Sequence, residues 1–544
     1  MKKHLLQFIA AVMAFAFLAL PASAQKGTYA ITNAEVVTVS GSVISNGTVV
    51  VRDGLIEAVG SSVSIPADAK VIDAKGHKVY PGFFDTNTKL GLPSASPPTR
   101  NASGSRSGSI SNYPPSLRAE SDVLEKFEGT EAKFSSHRNA GFTTVVVGNS
   151  TGIFNGNSVV LNLAGENVSE MVVKAPFAHN IAFKTERGGV YPASLMGTFS
   201  AMRQMFHDAK RLDEIRKMYA SNPKGIKRPE ADATLDALIP VVRGEIPVVI
   251  FADTEREIIR ALNITKEFNL KTIIAGARES GSLAEKLKAH NISVLLSVDF
   301  PMRKLAENKE ADPEPLRTLR LRVEAPKAAA ALKNAGVPFA FQSGGMKNIK
   351  DFVKNAAVAT ENGLSKEDAI GAMTISAAKI LGVDAQLGSI EKGKIANLVV
   401  ASGDILDKDS SITHVFVDGK LFEQPKKKKK PAKADGDGEA KEINAGGVWN
   451  VTVEPPGMSI PMTFNLTQSG DTITGTISSN MLGSATIRNG EVTEDGFAFD
   501  VTVTFQGTDL DLNVTGIING DEVEGTVDTA QGPATFSGKR DPKN

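Results

Sequence analysis

Apolar positions follow three different rhythms along the 544-residue chain, and each predicts a different kind of element. From residue 28 to 79, short apolar runs alternate with turn signals: YAITNAEVVTV, TVVVRDGLIEAVG and KVIDAKGHKVY. Strands joined at Asn-Gly, Asp-Gly and Lys-Gly turns make a small β module. The same rhythm returns at 387–400 (LGSIEKGKIANLVV) and 414–422 (HVFVDGKLF), so 25–80 and 385–424 together predict one composite β-sandwich flanking the residues between them. There, over 81–384, near-continuous apolar runs stand apart from amphipathic stretches: TTVVV (143–147), IPVVIF (246–251), KTIIA (271–275), ISVLLSV (292–298) and VPFAF (337–341). Buried parallel strands alternating with helices are the α/β pattern, and about eight such units close into a TIM (β/α)8 barrel. Residues 365–381 show the helical half: Ser365 and Asp368 at the start, Ile370, Met373, Ala377 and Ile380 on one face, and Gly382 after the end.

The third rhythm is strict alternation. Phe497, Phe499, Val501, Val503 and Phe505 point one way, with Asp500, Thr502 and Thr504 between them, and Leu510, Leu512 and Val514 repeat the pattern. Similar runs begin at Val448, Met462, Thr472, Ala485, Glu522 and Ala534, giving about eight antiparallel strands in 447–544. A closed up-and-down barrel or a sandwich satisfies this pattern. The segment looks lipocalin-like, with Trp449 near its start and Gly-Thr at 475–476 and 525–526. Its interior is either a filled core or a pocket for a small apolar ligand.

Composition narrows the setting. Lys2 and Lys3, an apolar run from Leu5 to Leu20 and Pro-Ala-Ser-Ala at 21–24 read as a signal peptide, residues 1–24, so the protein is expected to be exported to a periplasmic or extracellular space. An uncleaved anchor is the alternative; after cleavage no transmembrane span is expected. The chain has no cysteine, which excludes disulfides and a lipid-bearing N-terminal Cys. Lys+Arg 61 balances Asp+Glu 61, so no overall field favours nucleic acid. Residues 93–118, rich in Ser, Pro and Gly, form a long loop that reads either as a lid over the barrel or as a disordered insertion. Residues 425–446, with lysines at 426–430 followed by acidic and Gly residues, read as a charged linker; binding of an anionic lipid or polymer is the sharper reading.

PGFFDTNTKLGL (81–92) is the most informative stretch. Together with KVYPGFFD and LSKEDAIGAMTISAAKILGVDAQLGSIEKGKIANLVV, it makes residues 28–424 resemble the metal-dependent amidohydrolase superfamily, in its imidazolonepropionase-like branch. The resemblance implies a barrel holding one or two divalent ions, often zinc, which make bound water acidic and polarise the carbonyl under attack. It also implies the ligands: a His-X-His pair on the first strand, Lys or Glu on the fourth, His on the fifth and sixth, and Asp on the eighth. Here those positions carry Asn87 and Lys89, Phe251, Ala275 and Gly344, and for the fourth strand Lys174 is the nearest candidate. Phe251 and Ala275 have no lone pair to donate and Lys89 is a cation, so no metal or other cofactor is expected.

No other pattern rebuilds the site. His4 lies in the leader; His77, His137, His207, His290 and His414 read as surface or packing residues, and His179 alone falls near a barrel strand end. Gly148, Gly152 and Gly156 lack the Lys-Ser/Thr of a phosphate loop and read as turn glycines, and there is no Gly-X-Ser-X-Gly elbow. The resemblance brings Lys89, Asp253, Arg278, Asp299, Gln342 and Ser343 toward the barrel mouth. Lys89 is expected to pair with Asp253 or Asp299; a covalent Schiff-base role is the alternative. These residues point to a ligand-binding or partner-supporting protein without hydrolytic activity, as a homo-oligomer or beside an active amidohydrolase relative. The competing expectation is a hydrolase of carbon-nitrogen bonds with an atypical site.

Overall fold

The computed structural model describes residues 27–93, 113–129, 131–150, 152–165, 167–185, 191–301, 314–344, 346, 348–423, 443–454, 459–493, 496–505, 508–529 and 532–541. The expected signal peptide, most of the Ser-Pro-Gly loop and most of the lysine-rich linker lie outside them. Two compact units divide between Lys427 and Lys428, and no described helix is long and apolar enough to cross a membrane.

In the first unit, β1 (Tyr29–Val36), β2 (Ile44–Arg52), β3 (Leu55–Gly60), β4 (Lys70–Asp73) and β5 (Lys78–Pro81) precede the barrel strands. These are β6 (Phe83–Thr88), β7 (Phe142–Val147), β8 (Phe154–Asn162), β9 (Val172–Ala182), β10 (Val248–Ala252), β11 (Thr272–Gly276), β12 (Ser293–Ser297) and β13 (Phe339–Gln342). β14 (Leu398–Ala401), β15 (Ile412–Val417) and β16 (Lys420–Glu423) follow.

Both ends of the unit meet in one sheet ordered β16-β15-β14-β5-β1-β2-β3, with β4 beside β1. The join is β5 against β14, antiparallel from Leu398↔Pro81 to Ala401↔Lys78. Period-two alternation then serves two cores at once. Val79, Leu398, Val400 and Phe416 pack with Ile31, Val49 and Ile56, while Tyr80, Val399, Ala401, Val415 and Val417 join the core around the barrel.

The barrel strands run in order β6 to β13. β6 and β7 are parallel, as are β9 through β13, but β8 is antiparallel to both neighbours. An all-parallel barrel is therefore corrected at this one strand. Its cause is chain length: residues 148–153 link β7 to β8, and a parallel crossover needs a dozen or more. Across the closing seam, Thr86 Oγ1 donates to the Phe341 carbonyl at 2.9 Å. Phe84, Val146, Val160, Val249, Ile273, Ala275, Leu295 and Ala340 form the interior, and Ala377, Ala378 and Leu381 of the helix Ile375–Leu381 pack with them.

The helix expected over 365–381 breaks at Thr374 (φ −130°, ψ −98°) into Lys366–Met373 and Ile375–Leu381. Ser365 caps the first piece and Gly382, at φ +66°, ends the second. Ala369, Ile370 and Met373 pack into the core outside the barrel, whereas Ala377, Ala378 and Leu381 enter the interior cluster. One straight stripe cannot serve both, and the Thr374 hydroxyl takes the Ile370 carbonyl at 2.6 Å where the chain turns.

The second unit comprises β17 (Gly447–Glu454), β18 (Ile460–Ser469), β19 (Thr472–Ser479), β20 (Gly483–Thr493), β21 (Gly496–Phe505), β22 (Thr508–Asn519), β23 (Glu522–Thr529) and β24 (Gly532–Arg540). Each pairs antiparallel with the next and β24 returns to β17, so the strands close a barrel and do not split into a sandwich. Trp449, Phe464, Phe497, Phe499 and Phe536 fill its core. Trp449 is fully buried; its indole N–H donates to the Ala445 carbonyl at 3.0 Å, and the Arg540 guanidinium lies 4.3 Å from the ring centroid. Gly525 makes room for this packing: a Cβ there would stand 2.0 Å from the Thr515 carbonyl oxygen and 2.6 Å from the Phe536 ring.

Candidate site at the barrel mouth

The C-terminal ends of β10 to β13 and of β6 form the mouth, the end at which such barrels carry their chemistry. Asp253 follows β10 directly. Its position is fixed by the helix Glu255–Phe268, whose capping box has the Thr254 hydroxyl accepting from Glu257 N and the Glu257 carboxylate accepting from the backbone of Asp253 (3.0 Å) and Thr254 (3.1 Å). Burial of Ile258, Ala261, Leu262, Thr265 and Phe268 seats that helix on the core.

Arg278 is delivered by a turn. Where β11 ends, its last residue Gly276 (φ +95°) and the following Ala277 (φ +55°) both have positive φ, and the loop is tied to the end of β10 by Ala277 N to Ala252 O (3.0 Å) and Glu279 N to Asp253 O (3.1 Å). The Arg278 guanidinium then grips Asp253. Nε donates to both carboxylate oxygens (3.0 and 2.9 Å), Nη2 donates to Oδ2, and the Arg278 backbone N–H adds a bond at 3.1 Å. Nη1 donates to the Asp299 carbonyl at 3.1 Å. The carboxylate of Asp253 raises the Arg278 pKa further above its ordinary value. Asp299 keeps a carboxylate with no hydrogen-bond donor among the described residues, and burial raises its pKa, opposed by Arg278 and reinforced by Asp253.

One layer below, Gln342 is buried and donates through Nε2 to the Leu295 carbonyl at 2.6 Å. Its Oε1 has no partner, and an unpaired buried acceptor costs about 1–3 kcal/mol. Ser297, beside it on β12, accepts from Asp299 N at 3.2 Å.

Arg278 meets Asp253 and the Asp299 backbone, while Gln342 lies below them on the Leu295 carbonyl. Lys89 is exposed and its ammonium has no partner among the described residues, which corrects the expected pairing with Asp253 or Asp299: Arg278, anchored two residues past β11, occupies Asp253 first. Ser343 turns away from the mouth to the buried Asp85, donating from its backbone N (3.0 Å) and hydroxyl (2.5 Å) across the β6–β13 seam. Burial raises the Asp85 pKa, opposed by Ser343 and His137. Lys174 lies on the first part of β9, at the far end of the barrel, with its ammonium on the Leu381 carbonyl at 2.8 Å, so it is not a mouth residue. His179 is also corrected. It pairs in register with Val248 at the start of β10, packs against Phe154 outside the barrel and bonds Asn157 Oδ1 through Nδ1 at 3.1 Å. Complete burial pushes its pKa down to about 3.

Asn87 is half-buried near the end of β6, Phe251 and Ala275 pack in the barrel interior, and Gly344 follows β13 at φ +39°. Among the described residues no group of three or more His, Asp or Glu side chains converges. One amide, one ammonium, two side chains without lone pairs and a glycine do not fit zinc or a similar divalent ion. Sequence patterning missed the preference of Arg278 for Asp253, because that preference depends on the left-handed turn at Gly276 and Ala277.

Residues 229–422 match the amidohydrolase family model. No match was found among curated proteins. Among solved structures, the chain is similar to an amidohydrolase from Thermotoga maritima MSB8, with 25% identity, a TM-score of 0.61, and coverage of 73% of this chain and 100% of that one. More distant are a prolidase complexed with N-methylphosphonate-L-proline (17% identity, TM-score 0.46, 73% and 100% covered) and an adenosine deaminase from Xanthomonas campestris with bound zinc (15%, 0.39, 72% and 92%). With the barrel, its composite sheet and the family match in agreement, this chain carries an amidohydrolase family domain.

Proposed function

We propose that this amidohydrolase-type barrel has given up metal-dependent hydrolysis and serves as an exported binding protein, taking a small molecule at its mouth. One observation carries the reading: the Asp253 carboxylate at the mouth is already gripped by Arg278, while Phe251, Ala275 and Gly344 offer no side-chain donor beside it. The guanidinium supplies fixed positive charge to the mouth, which needs no ion to remain folded. Support of an active relative in a mixed oligomer is compatible with the same mouth. Export rests on the leader-like residues 1–24.

The test uses the full mature protein. Elemental analysis for Zn, Mn and Fe, followed by assays on cyclic amides and dipeptides with each metal added, is expected to give substoichiometric metal and no turnover. N-terminal sequencing of the exported protein is expected to begin at Gln25. Stoichiometric metal with turnover replaces this reading by that of a carbon-nitrogen hydrolase with an atypical site.

A further inference from the structure

We propose a second binding site at the opposite end of the barrel from the mouth: a cavity of about 300 Å³ where β10, β11 and β12 begin, which takes a small carboxylate with a short apolar body. The strand sequences leave this space open. Val249, Ile273 and Leu295 belong to the barrel interior, and side chains two residues apart along a strand share a face. Pro247, Lys271 and Ser293 therefore continue the inward face at or just before the start of their strands, with Ser293 opposite Ile273 in register. Bulky branched side chains usually fill such a layer. A proline ring, a flexible lysine and a serine leave it unfilled, and all three line the cavity. Leu270, Ile273 and Ile380 of the helix Ile375–Leu381 supply an apolar wall.

The polar wall donates and carries positive charge. Lys271, His290, Asn291 and Ser293 line the cavity, and their side chains make no hydrogen bond or ion pair with any described residue. The ammonium has three N–H groups to give, the amide two, the hydroxyl one, and the imidazole one in either tautomer. Among the described residues no acidic side chain lines the cavity. Glu245, two residues before Pro247, is held by Arg243 at 3.4 Å, and the Lys174 ammonium sits on the carbonyl of Leu381, next to Ile380, so the local charge is positive. An ionised carboxylate only accepts, and its two oxygens can be shared among these donors. The apolar wall selects further, because a short alkyl chain covers Leu270, Ile273 and Ile380 whereas phosphate leaves them in water. Lys271, His290 and Asn291 are exposed, so the ligand enters directly from solvent.

Isothermal titration of the full chain with sodium hexanoate tests the assignment, beside 1-hexanol, hexylammonium chloride and inorganic phosphate. Hexanoate is expected to bind saturably, at least about ten-fold tighter than hexanol or phosphate, and hexylammonium not at all. Lys271→Met keeps most of the stem and removes the charge of an exposed side chain; it is expected to fold and to bind hexanoate at least about ten-fold more weakly. Ser293→Leu fills the space, removes a donor and is expected to abolish binding; should it fail to fold, the Lys271→Met result decides. Lys89→Met, at the mouth, separates the two ends and is expected to leave hexanoate affinity unchanged. No saturable binding, equal affinity for hexanol or phosphate, or an unchanged Lys271→Met variant overturns the proposal. Loss of binding in Lys89→Met alone also overturns it, by moving the carboxylate to the mouth, and leaves the binding reading of that end standing.

Discussion

Arg278 shows how one side chain sets the charge balance of the barrel mouth. That Phe251 and Ala275 bring no lone pair was legible in the sequence, since it needs no coordinates. Which cation would meet Asp253 was not legible, because Lys89 and Arg278 are both cationic and only the turn at Gly276 and Ala277 selects between them. His179 teaches the same lesson about facing. A shift of one residue along β9 would have aimed it into the barrel; instead it lies on the outer face, kept neutral by burial. Its folded pKa, about 3, lies below the ordinary value near 6.5, so its contribution to stability is fully present above pH 6.5 and is lost as pH falls toward 3. Unfolding free energies from urea titrations between pH 7.5 and 4 should fall with a slope of up to about 1.4 kcal/mol per pH unit from this group. His179→Gln, which can still meet Asn157 and cannot charge, is expected to flatten that slope. His137, whose pKa is also lowered by burial, adds loss of the same sign, so the difference between the two proteins is the measure.

At the scale of elements, apolar runs located β7 and β10 to β13 because strands buried on both faces read as unbroken hydrophobic stretches. β8 escaped because FNGNSVVLN sets Asn-Gly-Asn-Ser between Phe154 and its apolar run; Gly156 reads as a turn yet sits inside the strand at φ +76°, where a Cβ would lie 1.8 Å from the Ser121 carbonyl oxygen. In the second unit, alternation alone marked every strand, since one face of each is solvated. Closure of that barrel depends on residues with no side chain. Gly525→Ala is expected to destabilise the unit by about 1–3 kcal/mol through overpacking, or to prevent its closure, because a carbonyl oxygen and a phenylalanine ring both stand in the way. Differential scanning calorimetry of the full chain checks this, and a transition identical to wild type would show that the neighbouring strands yield.

For the molecule as a whole, the first unit is fastened by a small polar network between the composite sheet and the barrel. Asn397 Nδ2 donates to Asn162 Oδ1 (3.0 Å) and Thr144 Oγ1 (3.2 Å), Asn162 Nδ2 donates to Asp418 Oδ1 (2.6 Å), and Asp418 N returns to Asn397 Oδ1 (2.8 Å). Asn397→Leu strands several buried polar groups together and is expected to cost about 2–4 kcal/mol, read as a lower urea midpoint by circular dichroism; a loss below about 0.5 kcal/mol would mean that water takes over these bonds. That strands from both ends of the unit come together beside a barrel was legible because both ends share the strand-and-turn rhythm, although they form one sheet and not the expected sandwich, whereas this network was not legible, because its members are 253 and 256 residues apart along the chain. A last consequence follows from Trp449, the chain's single tryptophan, sealed in the terminal barrel. Light absorbed at its long-wavelength edge is emitted from that unit alone, so the two halves of the polypeptide can be melted in one cuvette and told apart by colour, without a label.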